Sequence, residues 1–304
     1  MIHVINPGLL TTIQDLGRVG FAHLGLSPAG AADSLSFRIA NLLLGNDANT
    51  PAFEMTLLGP TLQFETAALI AISGSRTSTS LPINEPFPVT AGTRITTGSL
   101  LDGARAYLAI RGGLAVPRIM NSCSTFLPAG IGGLKGRALK KGDQIAPGKQ
   151  TVGRVCKPEL AGVASLQLRH GPIRVTAALQ CDWFSQETID RFQQQVFMVR
   201  DDSNRSGLRL QGEPISPAQR RELLTEGIAL GAVQIPRDGQ PIILFVDQQT
   251  TGGYPKIANV VAADIWRVGQ LRPRDEVRFS FVKIPEAIEL LRRQEQALRA
   301  AFFP

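Results

Sequence analysis

Short apolar runs, each bounded by turn residues, recur along this chain, and their spacing constrains the fold more than any other feature. In the first half they are Ile2–Ile5, Leu9–Ile13, Ala52–Leu58, Thr61–Glu65, Leu69–Ser73, Arg94–Thr97 and Arg105–Ile110. In the second half they are Leu166–Arg169, Phe197–Arg200, Gly207–Leu210, Ala232–Ile235, Ile242–Asp247, Ile257–Ala262 and Glu276–Val282. Runs of this length and composition are strands. The 30 glycines and 20 prolines supply the turns between them. Strands in such succession predict barrels or sandwiches rather than alternating βαβ units. Leu57-Leu58-Gly59-Pro60-Thr61-Leu62 reads as a tight hairpin connection between two of them.

Three segments depart from the strand pattern. Asp33 to Gly45 places Leu35, Ile39, Leu42 and Leu43 at helical spacing, with Gly45 as the C-terminal stop. Ser185 to Gln195 does the same with Ile189, Phe192 and Val196, and Ser185 is positioned as an N-cap. The tail from Pro285 aligns Ile288, Leu291, Leu298 and Phe302 on one stripe. The stretch Pro147 to Ser165 has little apolar periodicity and is the best boundary, which predicts domains at 1–150 and 151–304. Lys141-Gly142-Asp143-Gln144-Ile145 and Arg272-Pro273-Arg274-Asp275-Glu276-Val277 close the two halves in similar ways.

Composition narrows the function classes. The formal net charge is +7, but Lys and Arg are scattered, with no basic block and no basic–aromatic alternation, which argues against nucleic acid as a partner. Cys123, Cys156 and Cys181 are odd in number and include no CxxC pair, so neither a disulfide framework nor a zinc site is predicted. No apolar run approaches the roughly 20 residues of a membrane span, and the N-terminus lacks a signal-peptide pattern. The expectation is a cytoplasmic protein with no membrane partner and no bound metal.

Nucleotide signatures fail on spacing. Gly148-Lys149 lacks the upstream glycine and the Ser/Thr of a Walker loop, and Gly130-Ile131-Gly132-Gly133-Leu134-Lys135-Gly136 misses the dinucleotide spacing by one position. That glycine run can still offer a nest of backbone amides to an anion, helped by the hydroxyls of Ser122, Ser124 and Thr125; a plain turn is the alternative. His3, His23 and His170 have no Cys, Asp or Glu at ligand spacing. Acid–base or electrophilic chemistry therefore falls to carboxylates and arginines.

Asp247 is the strongest candidate. It ends an apolar run and opens Gln248-Gln249-Thr250-Thr251-Gly252-Gly253-Tyr254-Pro255-Lys256, where glycines admit unusual dihedrals or a close ligand. Arg205 and Arg209 suit bidentate contacts to a carboxylate or phosphate, or salt bridges within the fold. Asp15 sits in a polar, glycine-bracketed turn, and Asp33 stands at a helix start, where N-capping competes with any catalytic role.

Taken in order, several segments carry a resemblance. They are Pro7-Gly8-Leu9-Leu10-Thr11-Thr12-Ile13-Gln14-Asp15-Leu16-Gly17-Arg18, Arg38-Ile39-Ala40-Asn41 through Gly45-Asn46, Tyr107-Leu108-Ala109-Ile110-Arg111-Gly112-Gly113, Ser122-Cys123-Ser124-Thr125 and Gly130-Ile131-Gly132-Gly133. Ser203-Asn204-Arg205-Ser206-Gly207, Val233-Gln234-Ile235-Pro236 and Gln249-Thr250-Thr251-Gly252-Gly253-Tyr254-Pro255 complete the set. Across nearly its whole length the chain resembles the biotin-dependent carboxyltransferase-like family, also called the allophanate hydrolase subunit 2 family. Ala32, Ser206 and Arg274 stand where methionine, methionine and glycine are usual, which leaves the substrate open.

The resemblance implies a mainly β fold, with two cyclophilin-like β-barrel domains and a few short helices. It implies the C-type component of an ATP-dependent 5-oxoprolinase, which opens the lactam of 5-oxoproline to glutamate. Its obligate partner would be a B-type homologue, joined in the oxoprolinase by an A-type component. ATP would then be used by the complex, and biotin would enter only through a partner. In that setting Asp247, Arg205 and Asp33 are expected as catalytic groups, and Gln249, Thr250, Thr251, Gly252, Gly253, Arg209, Ser124 and Thr125 as substrate-binding ones. Arg205 would clamp the substrate carboxylate, Asp247 would orient or deprotonate water, and the Thr250–Gly253 turn would face the developing oxyanion. Two alternatives stay open: half of a carboxyltransferase fed by a biotinylated partner, and a non-catalytic regulator of a kinase-inhibitor partner.

Overall fold

The computed structural model describes residues 1–149, 152–156, 158, 160–167, 171–218 and 222–303. The chain is mainly β, and its contacts divide it into two compact units. The first comprises Met1–Val19, Ala29–Leu168 and Gln296–Pro304; the second comprises Gly20–Pro28 and Arg169–Glu295.

In the first unit a five-stranded antiparallel sheet runs in the order Leu10–Gln14, Ala52–Thr56, Arg105–Ile110, Ala68–Gly74, Pro86–Val89. A four-stranded sheet runs Arg94–Thr96, Thr61–Phe64, Ile2–Asn6, Gln144–Ile145. Period-2 alternation sorts the side chains of the central strands. Phe53, Met55, Ala106, Leu108 and Ile110 meet Ile2, Val4, Leu62, Phe64 and Ile95 of the other sheet in one core. The opposite face receives the helix Ser34–Leu43, whose Phe37 meets Tyr107 edge-on at 5.7 Å. That helix begins and ends as its sequence predicts. Asp33 accepts a hydrogen bond from the Ser36 amide, and Gly45 follows the last turn at φ +68°.

In the second unit an eight-stranded sheet runs in the order Glu276–Val277, Phe197–Val199, Gly207–Gln211, Ile242–Leu244, Ala232–Gln234, Lys256–Val260, Ile173–Ala177, Phe279–Phe281. Its first and last strands are separated in the chain only by Arg278, so the sheet curls to near closure. Phe192, from the helix Gln186–Gln194 capped by Ser185, stacks on Phe279 at 4.6 Å and touches Phe197 and Phe281. A separate two-stranded ribbon pairs Glu226 with Gly252 and Gly227 with Thr251.

Several sequence expectations need correction. The Leu57–Leu62 segment is not a hairpin; it carries the chain from the five-stranded sheet to the four-stranded one, with Leu57 at φ +58°. The strand expected over Ile242–Asp247 stops at Leu244, because Gln248 N–H bonds Phe245 O and closes a turn. Leu166 ends a helix, Leu160–Leu166, rather than opening a strand; the remainder of that run, Leu168 and Arg169, and His170, lie outside the described residues. The C-terminal helix Ile284–Phe302 is long, and although Leu298 and Phe302 are buried, Ile288 is exposed.

Candidate functional site

Asp247 and Arg205 meet in the second unit as a buried ion pair. Arg205 Nε donates to Asp247 Oδ2 at 2.9 Å and Nη2 to Oδ1 at 3.0 Å, a bidentate fork. Their side chains are only 4% and 1% exposed. The backbones are tied as well, Asp247 N–H to Arg205 O at 2.9 Å. This corrects the expectation that Arg205 faces a substrate carboxylate and Asp247 a water: the two charges neutralise each other and brace the start of the polar turn. Arg209 does not join them. Strand alternation turns it outward, half exposed, toward Asp202 at 3.6 Å.

The turn itself presents Gln249, Thr251, Gly253 and Tyr254 to solvent and half-buries Thr250 and Gly252. Neither Gly252 nor Gly253 takes a positive φ. The requirement is room: a Cβ on Gly252 would lie 2.5 Å from Ile228 Cδ1 and 3.0 Å from Gln234 Nε2. Glycine here lets the loop lie flat on the sheet beneath it.

That sheet carries polar groups that sequence reasoning passed over. Lys256 and Gln234 are cross-strand neighbours, both buried. The Lys256 ammonium donates to Glu226 Oε1, and Gln180 Nε2 donates to the same oxygen at 3.0 Å. These two donors, Lys256 first, hold the Glu226 carboxyl below the usual carboxylate range. Gln248 Nε2 donates to Ile228 O, while its Oε1 is buried with no hydrogen-bond partner among the described residues. The detectable signal was a lysine opening and a glutamine closing strands built, apart from Asn259, of Ala, Val and Ile.

Asp33, Ser124 and Thr125 belong to the first unit, and each is engaged structurally. Asp33 caps its helix, and its Oδ2 also accepts from Ser36 Oγ at 2.6 Å. Its N–H donates to Tyr107 Oη, which donates to Glu54 Oε2 at 2.8 Å. Burial, and then the charge of Glu54, push the Tyr107 hydroxyl well above its ordinary range, so it stays a neutral donor. Tyr107→Phe should therefore cost about 1–3 kcal/mol, because it strands a buried N–H beside a buried carboxylate. Urea unfolding checks that figure.

Ser124 and Thr125 do not line an anion nest. Ser124 Oγ donates to Asp15 Oδ1 at 2.5 Å, Ser122 Oγ to the same oxygen at 2.7 Å, and Thr125 Oγ1 to Ile13 O at 2.9 Å. The glycine-rich amides are likewise occupied, Gly133 N–H by Cys123 O and Gly136 N–H by Gly132 O. Gly132 approaches Ser124 O so closely that any Cβ would overlap it. In the run 130–136 the amides of Gly130, Ile131, Gly133 and Gly136 thus bond to the chain itself. His3 binds Glu65 on the surface, and His23 lies on an exposed turn.

The model of the carboxyltransferase domain, subdomain A and B, matches residues 24–281. The chain belongs to the carboxyltransferase family. Among its relatives, the chain is 41% identical to the C-type subunit of Escherichia coli 5-oxoprolinase over 97% of this chain and 95% of that protein. The corresponding Haemophilus influenzae 5-oxoprolinase protein is 38% identical, with 97% and 96% covered. The crystal structure of the K. lactis urea amidolyase superposes with a TM-score of 0.90 at 32% identity; this carboxyltransferase-family chain is covered to 98%, and spans 20% of that larger protein. In the described residues no helix is long and apolar enough to cross a membrane, and no cluster of three or more His, Cys, Asp or Glu could hold a metal ion.

Proposed function

We propose that this chain is the C-type subunit of an ATP-dependent 5-oxoprolinase, acting with A-type and B-type subunits to convert 5-oxo-L-proline to L-glutamate in the cytoplasm. The observation that supports this reading best is the near end-to-end 41% identity to the E. coli protein, in which neither chain has a large unmatched segment. The second unit offers suitable chemistry. Gln249, Thr250 and Thr251 form a polar turn over buried Lys256 and Gln234, held at its root by the Arg205–Asp247 fork. A lactam carbonyl gaining negative charge as its C–N bond opens is stabilised by fixed N–H and O–H donors. The donors of this turn, Gln249, Thr250, Thr251 and the amides of Gly252 and Gly253, would supply that role, with Arg205 and Asp247 positioning them. ATP is assigned to another component of the complex, because this chain carries no Walker loop and the amides of Gly130, Ile131, Gly133 and Gly136 bond to its own carbonyls.

Deleting the gene for this chain should make cells accumulate 5-oxoproline and fail to use it as a nitrogen source, with both restored by the intact gene. Unchanged 5-oxoproline levels would rule the assignment out. A second reading, half of a carboxyltransferase receiving a carboxyl group from a partner's biotin, draws on the family model and on the K. lactis superposition. It predicts avidin-sensitive activity, whereas the oxoprolinase reading predicts none.

A further inference from the structure

The Lys256–Glu226 contact is lopsided. The Arg205–Asp247 pair is buried on both sides, at 4% and 1% exposure. Lys256 is equally enclosed at 6%, yet Glu226 is 32% exposed. Glu226 sits on the two-residue ribbon strand Glu226–Gly227, whereas Lys256 and Gln234 stand on adjoining strands of the eight-stranded sheet. A fixed ammonium is therefore met by a carboxylate on a lightly anchored support.

A second donor, Gln180 Nε2, converges on the same carboxylate oxygen, and Gln180 is itself held by accepting from Lys256 N–H at 3.4 Å. A third group points to a ligand. Gln234 is 1% exposed, and its Nε2 has no hydrogen-bond partner among the described residues. It lies just under Gly252, the residue opposite Glu226 in the ribbon. Burying an amide N–H2 without an acceptor costs about 1–3 kcal/mol, a cost relieved when a ligand brings one.

We propose that Lys256, Gln180 and Gln234 form a binding site for the carboxylate of a small organic acid, and that the Glu226 carboxylate fills the place the ligand's carboxylate takes. One ammonium and two amide donors match an anion with two oxygens, and no side chain at residue 252 stands between them and the turn. Resting on the oxoprolinase reading, this is the carboxylate subsite for 5-oxoproline, with Glu226 as an internal competitor. A competitor of this kind also rejects neutral lactams, which gain nothing by displacing it.

The test compares Glu226→Gln and Lys256→Met with the parent chain. In the reconstituted complex, Lys256→Met should raise KM for 5-oxoproline about 10- to 100-fold, the range for losing a hydrogen bond to a charged group. Glu226→Gln should lower KM, since the competing charge is gone, and a purely structural ion pair would not improve binding when broken. Calorimetric titration of the purified full chain with 5-oxoproline, succinate and 2-pyrrolidinone separates the subsite from the reaction. Both acids should bind Glu226→Gln more tightly than the parent, and 2-pyrrolidinone should bind neither. Succinate binding with that ranking, in a protein that turns over no 5-oxoproline, would keep the carboxylate site and remove the oxoprolinase reading. Equal affinity, or no affinity, of parent and Glu226→Gln for both acids would overturn the site. Should Lys256→Met fail to fold, the Glu226→Gln comparison carries the test alone.

Discussion

Asp247→Ala should destabilise the second unit by about 3–5 kcal/mol, because it removes the bidentate carboxylate partner of a buried guanidinium. The loss appears in urea unfolding of the chain without substrate or partner. Folded domains are stable by only about 5–15 kcal/mol, so the variant should be poorly soluble as well. The double change Arg205→Met with Asp247→Leu should cost less than the sum of the two single changes, since each single change breaks the same fork. A purely chemical role for Asp247 predicts the reverse pattern: full stability of Asp247→Ala and loss of turnover alone.

Asp15→Ala should be comparably severe in the first unit. Its buried carboxylate accepts from Gly17 N–H at 2.8 Å, Cys123 N–H at 2.5 Å, Ser122 Oγ at 2.7 Å and Ser124 Oγ at 2.5 Å. Removing it strands several buried donors at once, for about 4 kcal/mol, given about 1–3 kcal/mol for each unmet group and partial relaxation. Asp15→Asn preserves the shape but replaces one acceptor oxygen by a donor, so it should fall between parent and alanine. Amide hydrogen exchange should localise the effect: protection of Cys123 falls, while the strands Lys256–Val260 and Ala232–Gln234 are unchanged.

The β character of the chain was legible because its strands follow a local rule, apolar runs between turn residues, and the helix at Ser34–Leu43 because Asp33 and Gly45 mark its ends. What sequence could not show was pairing. Strands Ala52–Thr56 and Thr61–Phe64 look like hairpin partners, yet they enter different sheets, a choice made by packing across the core rather than by Gly59-Pro60. The site was legible to the same depth. The turn at 249–253 announced itself by composition, but whether Arg205 faces a ligand or Asp247 depends on a non-local contact that the intervening residues do not encode. Ser124 and Thr125 misled for the same reason, since Asp15 and the Ile13 carbonyl claim their hydroxyls from over a hundred residues away. Lys256 was overlooked because a lysine in sequence reads as surface, and only burial beside Gln234 and Glu226 makes it informative.

Reconstitution of this chain with A-type and B-type partner subunits, 5-oxoproline and ATP is the most direct measurement. Glutamate should appear only when all three proteins and ATP are present, and avidin should leave its rate unchanged. Glutamate formed at the same rate without this chain, or formation abolished by avidin, would contradict the account.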